Sequence, residues 1–258
     1  MTAQKLTIAL LPCLTDNYCA VVHDPLSGAT VAIDAPDAAA IEAGLDARGW
    51  QLTDVFVTHH HTDHTGGITP LKARYGCKVT GPAGEAERIS TLDREVDEKS
   101  QLTFAGHPVR VLETPGHTIG HIIYHFPEDE LAFTGDTLFA LGCGRIFEGD
   151  PESMWGGLQK ILGLPDSTTI YCGHEYTLAN GRFAVTIEPE NAELMARFAE
   201  IQALRADNQP TVPTTLGVER ATNPFLRPNS AAIRARLGLE RAPDWMVFQR
   251  LRELKNKA

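Results

Sequence analysis

The sequence has few cysteines and none of them paired in spacing. Its five, Cys13, Cys19, Cys77, Cys143 and Cys172, are odd in number and form no Cys-x-x-Cys. That argues against a disulfide scaffold or a cysteine zinc site and fits a reducing compartment. Long apolar runs are missing too. Ile8-Ala9-Leu10-Leu11 is interrupted by Pro12, too short for a secretory core and far short of the roughly 20 residues of a membrane span. The expectation is a cytoplasmic protein with no membrane partner. Positive charge is scarce: 23 Lys and Arg stand against 33 Asp and Glu, a net charge of −10, which disfavours broad binding to nucleic acid. No internal repeat or low-complexity segment interrupts the 258 residues, a length for one large domain or two modest ones.

What the chain does have is histidine in a pattern. Val55-Phe56-Val57-Thr58 reads as a buried strand and runs into His59-His60-His61-Thr62-Asp63-His64. Imidazole and carboxylate are the usual ligands of zinc, iron or manganese. Residues two apart at a strand end can converge on one ion, and the following Asp-His can reach a second. Gly66-Gly67 follows, letting the backbone pass close to the site before a helix over 68–75.

The pattern then recurs. A strand at 109–112 leads to Thr114-Pro115-Gly116-His117, one at 130–134 to Gly135-Asp136, and one at 168–171 to Gly173-His174. Strands are also expected at 5–11, 18–23, 30–34 and 122–126, and a helix at 37–49. Open α/β sheets place their sites beyond the carboxyl ends of strands, so four such ends imply a shared ion cluster. Seven groups result: His59, His61, Asp63, His64, His117, Asp136 and His174. They are too many for one ion and suit two, with Asp136 as the bridging oxygen donor. The implied class is hydrolysis of an ester-like or phosphoester bond. His23, His60, His107, His121 and His125 are expected outside the ligand set, with His60 pointing away, and Cys143 is expected to be structural.

From about residue 175 the texture becomes helical. Leu194, Phe198, Ile201 and Leu204 form an amphipathic stripe within 190–206. Asn229 is expected to cap a helix through 237, and Pro243 to start a last one. From Arg227 onward the chain carries a local +5 against −15 elsewhere, which is either a solvated helical surface or a clamp for an anionic small molecule.

Through Thr58–His64, Pro115-Gly116-His117-Thr118, Gly135-Asp136-Thr137-Leu138-Phe139 and Cys172–Thr177 the chain resembles the metallo-β-lactamase superfamily. Through Gly142-Cys143-Gly144-Arg145, Gly173–Thr177, Thr222–Arg227 and the helical extension, it resembles the hydroxyacylglutathione hydrolase (glyoxalase II) family along essentially its whole length. The resemblance implies an α/β fold, an αββα sandwich over 1–174 with a C-terminal α-helical substrate-binding domain over 175–258. It implies two divalent metal ions per chain, zinc foremost, with iron or manganese as alternatives. His59, His61 and His117 would hold one metal and Asp63, His64 and His174 the other. Asp136 and a hydroxide would bridge them, with Asp63 and Asp136 as the catalytic carboxylates.

The implied reaction is thioester hydrolysis of S-(2-hydroxyacyl)glutathione, such as S-D-lactoylglutathione, to glutathione and D-lactate, as in methylglyoxal detoxification, by a monomer. Arg145, Phe147, Tyr176, Arg252 and Lys255 map onto the substrate-binding positions. Arg145 and Phe147 stand where the family commonly has lysine and tyrosine. The rivals are a single-iron, glutathione-dependent persulfide dioxygenase, another hydrolase of the same fold, and a non-catalytic metal-binding module.

Overall fold

The computed structural model describes residues 5–258, and by internal packing the chain forms two compact units. The first runs to Glu113 and resumes over Ile119–Gly135; the second comprises Thr114–Thr118 and Asp136–Ala258.

In the first unit, β1 (Thr7–Cys13), β2 (Asn17–His23) and β3 (Thr30–Ile33) form an antiparallel meander. α1 (Ala38–Asp46) then crosses back, and β4 (Asp54–Phe56) pairs parallel to β3. After α2 (Thr62–Thr65) and α3 (Ile68–Tyr75), β5 (Lys78–Pro82) and β6 (Arg94–Val96) extend the sheet in parallel, giving six strands in sequence order. Pro12 sits in β1, at the sheet edge, where a missing N–H costs no ladder bond. Ile41 and Leu45 of α1 and Ile68 and Leu71 of α3 bury against Leu11, Val21, Val55, Val57 and Val79. The Asp37 carboxylate caps α1 by accepting from the N–H groups of Ala39 and Ala40.

Residues on β4 alternate in direction. Val55 and Val57 face the helices, and Phe56 faces a second, antiparallel run of β7 (Leu102–Phe104), β8 (His107–Glu113), β9 (Ile122–Phe126) and β10 (Leu131–Gly135). The Phe56 ring lies 5.0 Å from that of Tyr124 and 6.3 Å from that of Phe104. The buried Tyr124 hydroxyl donates to the Val57 carbonyl at 2.8 Å, which stitches β9 to the strand end that carries the histidines. The Ile122 N–H donates to the Thr58 carbonyl at 3.0 Å, one residue further along that segment.

The second unit opens with a short hairpin, β11 (Leu138–Phe139) with β12 (Gly142–Cys143), followed by α4 (Pro151–Leu162) and β13 (Thr169–Cys172). The remainder is α5 (Thr177–Ile187), α6 (Ala192–Ala206), β14 (Thr214–Thr215) paired with β13, α7 (Leu216–Thr222), α8 (Ala231–Leu237) and α9 (Asp244–Lys255). Its core is aromatic: Trp155 of α4 and Phe225 both stack near Phe248 of α9, and Phe183 of α5 lies against Phe225.

Two local expectations change. Ser230, not Asn229, caps α8: its hydroxyl accepts from the Ile233 N–H, so the helix begins one residue later. The hairpin β11/β12 and helix α4 were not anticipated, although Asp150-Pro151 is a standard helix start, and Asp150 does cap α4 through the Ser153 N–H. Among the described residues no helix is long and apolar enough to cross a membrane.

Tyr124→Phe should lower stability by about 1–2 kcal/mol, the usual cost of losing a buried hydrogen bond. A denaturant midpoint unchanged from wild type would show that the hydroxyl bond does not join the sheets.

Candidate metal centre

In the first unit the strand end after β4 is organised by a residue that motif reading passed over. Asp34 follows β3 directly, is buried, and takes a left-handed backbone with φ of 58°, a conformation Asp tolerates better than most residues. Its Oδ1 accepts the Thr58 N–H at 2.7 Å. Its Oδ2 accepts the Thr58 hydroxyl at 2.8 Å and stands 2.8 Å from His64 Nδ1.

These contacts assign ring tautomers. His64 gives its Nδ1 proton to Asp34, which leaves the Nε2 lone pair. The Thr58 hydroxyl spends its proton on Asp34, so Oγ1 is the acceptor for His59 Nδ1 at 3.0 Å. His59 Nε2 is therefore also a lone pair. It lies 3.0 Å from His61 Nδ1. Neighbouring donors around an ion with bonds of about 2.0–2.1 Å sit roughly 3.0–3.4 Å apart, so the spacing suits two ligands of one ion.

α2 turns the next two residues into place. Asp63 is fixed by Asn17, whose side-chain amide donates to its carbonyl at 3.0 Å and to its Oδ2 at 3.2 Å. His64 Nε2 lies 3.6 Å from Asp63 Oδ2. Gly67 lets this segment close down: its N–H donates to the Ala35 carbonyl at 2.7 Å, and a Cβ there would stand 2.8 Å from the Ala38 nitrogen. His60 turns elsewhere, with Nδ1 2.8 Å from Glu85. His23 stacks on Trp50, and His107 pairs with Asp129 at 2.8 Å.

The second unit gathers the other three donors. His117 gives its Nδ1 proton to the Arg145 carbonyl at 3.0 Å, so Nε2 carries the lone pair. That nitrogen is 3.4 Å from Asp136 Oδ2, and His174 Nε2 is 3.4 Å from the same oxygen. The separations are long for hydrogen bonds and match donors arranged about ions. All three residues are buried. Gly144 is needed for this packing: a Cβ there would lie 1.9 Å from the Asp136 carbonyl oxygen.

Exposed aromatics flank these histidines. The Phe147 ring is 5.2 Å from that of His117, and Tyr176 stacks on His174 at 4.6 Å with planes 5° apart. Phe147 is 60% and Tyr176 36% exposed, unusual for large rings beside buried histidines. Arg145 is exposed on the strand-end turn. Arg252 of α9 is buried, donates from Nη1 to the Cys143 carbonyl at 2.8 Å and from Nε to Asn256 at 3.0 Å, and lies over the Phe225 ring. Lys255 donates to the Ala179 carbonyl. Its pKa is held below the usual lysine value by burial first, then by the charges of Arg252 and Arg145, so the three cations share one field. Burial pushes the Cys143 thiol up to about 11, which leaves it a structural residue.

Residues absent from the motif reading therefore matter: Asp34 and Asn17, with Thr58 of the motif gaining a hydrogen-bonding role. Asp34 was findable, since it too is a carboxylate at a strand end.

Known proteins resemble this chain along both parts of its length. The model of the metallo-beta-lactamase superfamily matches residues 15–174, and that of the hydroxyacylglutathione hydrolase C-terminus matches 175–258. The chain is 53% identical over 251 residues to a hydroxyacylglutathione hydrolase of Rhizobium meliloti (strain 1021), covering 97% of this chain and 98% of that one. It is 52% identical over 254 residues to one of Brucella anthropi, covering 98% of each. Among solved structures, the BLEG-1 B3 metallo-beta-lactamase aligns with a TM-score of 0.67 at 22% identity, over 86% of this chain and all of that one. ETHE1 from Myxococcus xanthus aligns at 0.65 and 24%, over 94% and 95%. At these identities the two structures speak to the fold alone, the α/β sandwich.

Asp34→Asn keeps the shape but turns an N–H donor on one of its partners. If that partner is His64, the proton must move to Nε2. The variant should bind divalent metal about 10–100-fold more weakly; chelator competition showing wild-type affinity would refute the tautomer assignment.

Proposed function

Since the chain belongs to the hydroxyacylglutathione hydrolase family, within the metallo-β-lactamase superfamily, we infer that it is a thiolester hydrolase that cleaves S-(2-hydroxyacyl)glutathione, with S-D-lactoylglutathione as the preferred substrate. The observation that carries the chemistry is Asp136 Oδ2, placed 3.4 Å from the Nε2 atoms of both His117 and His174, as a bridging carboxylate requires. In this reading the seven donors hold two divalent metals, zinc first. His59, His61 and His117 serve one, Asp63, His64 and His174 the other, and Asp136 both. The all nitrogen-and-oxygen donor set, with ring tautomers fixed by Asp34 and the Arg145 carbonyl, fits such ions. When bound, the metals supply a water ionised near neutral pH and a Lewis acid for the thioester carbonyl.

The chain's own groups do the rest. Asp63, oriented by Asn17 at Oδ2, takes the proton that the nucleophile sheds on attack, at Oδ1. The leaving thiol has an ordinary pKa of about 8.5, so it departs as thiolate and needs no dedicated acid. Phe147 and Tyr176 line the approach to the carbonyl, with the Tyr176 hydroxyl as the one polar donor of that pair. Glutathione carries two carboxylates. Arg145, Lys255 and Arg252 Nη2 meet them, while the other nitrogens of Arg252 tie α9 to the Cys143 turn. Residues 1–174 thus provide the chemistry and 175–258 much of the substrate grip, in a monomeric cytoplasmic enzyme.

The decisive assay is hydrolysis of S-D-lactoylglutathione with metal analysis of the same sample; metal-loaded protein without thioester turnover would refute the reading. Asp136→Ala should lose both metal retention and turnover, and an active, loaded variant would remove Asp136 from the bridge. Lys255 loses its proton at lower pH than an ordinary lysine, so KM should rise early on the alkaline side. Lys255→Met should raise KM near neutral pH several-fold, abolish that alkaline rise and leave kcat within twofold. A KM indifferent to Lys255→Met counts against the clamp.

A further inference from the structure

Glu85 is a carboxylate in the interior with no part in the ligand set. It ends the 3-10 turn Ala83–Glu85 after β5 and is 2% exposed. Burying a carboxylate is costly unless its oxygens are satisfied. Here Oε2 accepts two bonds from one residue, the His60 N–H at 2.6 Å and His60 Nδ1 at 2.8 Å. Oε1 accepts the Gly120 N–H at 3.1 Å. Gly120 has no room for a side chain there, since a Cβ would stand 2.5 Å from Glu85 Cγ. On the far side of the imidazole, Arg88 donates from Nη1 to His60 Nε2 at 3.2 Å.

His60 lies between His59 and His61 and is chemically as good a ligand as either. The alternation of the motif turns His60 away from its neighbours, but residue type alone does not hold it there. We propose that Glu85 is the positioning residue of the histidine motif: it holds His60 out of the ligand set and thereby sets the spacing of His59 and His61. Anchoring both the backbone N–H and the ring of His60 to one oxygen fixes the backbone and side-chain torsions of the central residue. Its neighbours must then point the opposite way. Arg88 occupies the remaining lone pair, so neither ring nitrogen of His60 is left for an ion. Through Oε1 the same carboxylate fixes Gly120, three residues after His117 and two before β9. One buried anion thus ties the histidine motif to the segment that enters β9.

This inference rests on the reading of His59 and His61 as metal ligands, and the test separates the two. Metal-free full-length protein is titrated with Co(II), followed by its visible absorption and by chelator competition. Glu85→Gln cannot accept from all three N–H groups, because one end of its amide is a donor. It should bind Co(II) about 10–100-fold more weakly, with a changed absorption band as His60 enters the coordination. Adding His60→Ala to Glu85→Gln should remove the changed band. Arg88→Ala, at an exposed site, frees His60 Nε2 without disturbing the interior and should shift the band in the same direction with a loss of tenfold or less. A merely structural role would lower the melting temperature of the metal-free protein and leave the band in place. Wild-type Co(II) uptake with an unchanged band and affinity in both Glu85→Gln and Arg88→Ala overturns the inference alone. Failure of the wild-type chain to take up Co(II) overturns the metal reading, and this inference with it.

Discussion

The first unit depends on how Asp34 is buried. An isolated carboxylate in the interior would cost several kcal/mol. Asp34 escapes that cost by accepting from the Thr58 N–H, the Thr58 hydroxyl and His64 Nδ1. The consequence is more than satisfaction of a charge. Each bond fixes where a proton sits, directly on His64 and through the Thr58 hydroxyl on His59. The same carboxylate joins the end of β3 to the end of β4, which are parallel neighbours. Parallel pairing brings both strand ends to one edge, and the crossover through α1 allows it. Sheet topology, a buried anion and ligand tautomers are thus one arrangement.

The second unit solves a matching problem with an amide and a second buried carboxylate. The β11/β12 hairpin links Asp136 to Arg145 and has two-residue strands, too short to stand alone. Glu219 of α7 accepts the Leu141 N–H at 2.9 Å. The Asn223 amide donates to Glu219 and to the carbonyls of Gly142 and Phe139, and the Asn180 amide to that of Ala140. Arg197 neutralises Glu219 by pairing with it. Leu141 has φ of 57°, a strained state for a branched residue that such bracketing holds in place. The Thr222-Asn223-Pro224-Phe225 stretch has a physical task here: Asn223 clamps the hairpin, and Phe225 anchors the aromatic core.

Where the sequence could be read, the signal was local. The helix expected over 68–75 forms over Ile68–Tyr75 and ends on Gly76 at φ 65°, the left-handed cap that glycine favours. The strand at 122–126 forms over those same residues, a fully buried run that includes His125. Residues 77–100 resisted because β6 is three residues long, mostly exposed, and exists through parallel pairing with β5. Asn229 and Ser230 are both good caps, and the choice falls to tertiary contacts: Ser230 also donates to Glu188 at 2.9 Å. In the candidate site, the candidate donors were legible because metal chemistry restricts residue type. Asn17 and Glu85 were not, since an outer carboxylate or amide can come from any segment that the fold brings near.

The basic C-terminal stretch shows how far charge counting carries. Its net +5 reads as either a solvated helical surface or an anion clamp, and most of its guanidinium groups are committed internally. Arg227 pairs with Glu188, Arg234 with Asp244, Arg236 with Glu190 and Arg250 with Glu253. Arg252 is half structural, bound to the Cys143 carbonyl and stacked over Phe225. Lys255 alone is both partly buried among cations and unpaired with any carboxylate, and its depressed pKa measures that cost. A site that holds uncompensated positive charge is destabilised until an anion arrives, and the anion recovers the difference as affinity.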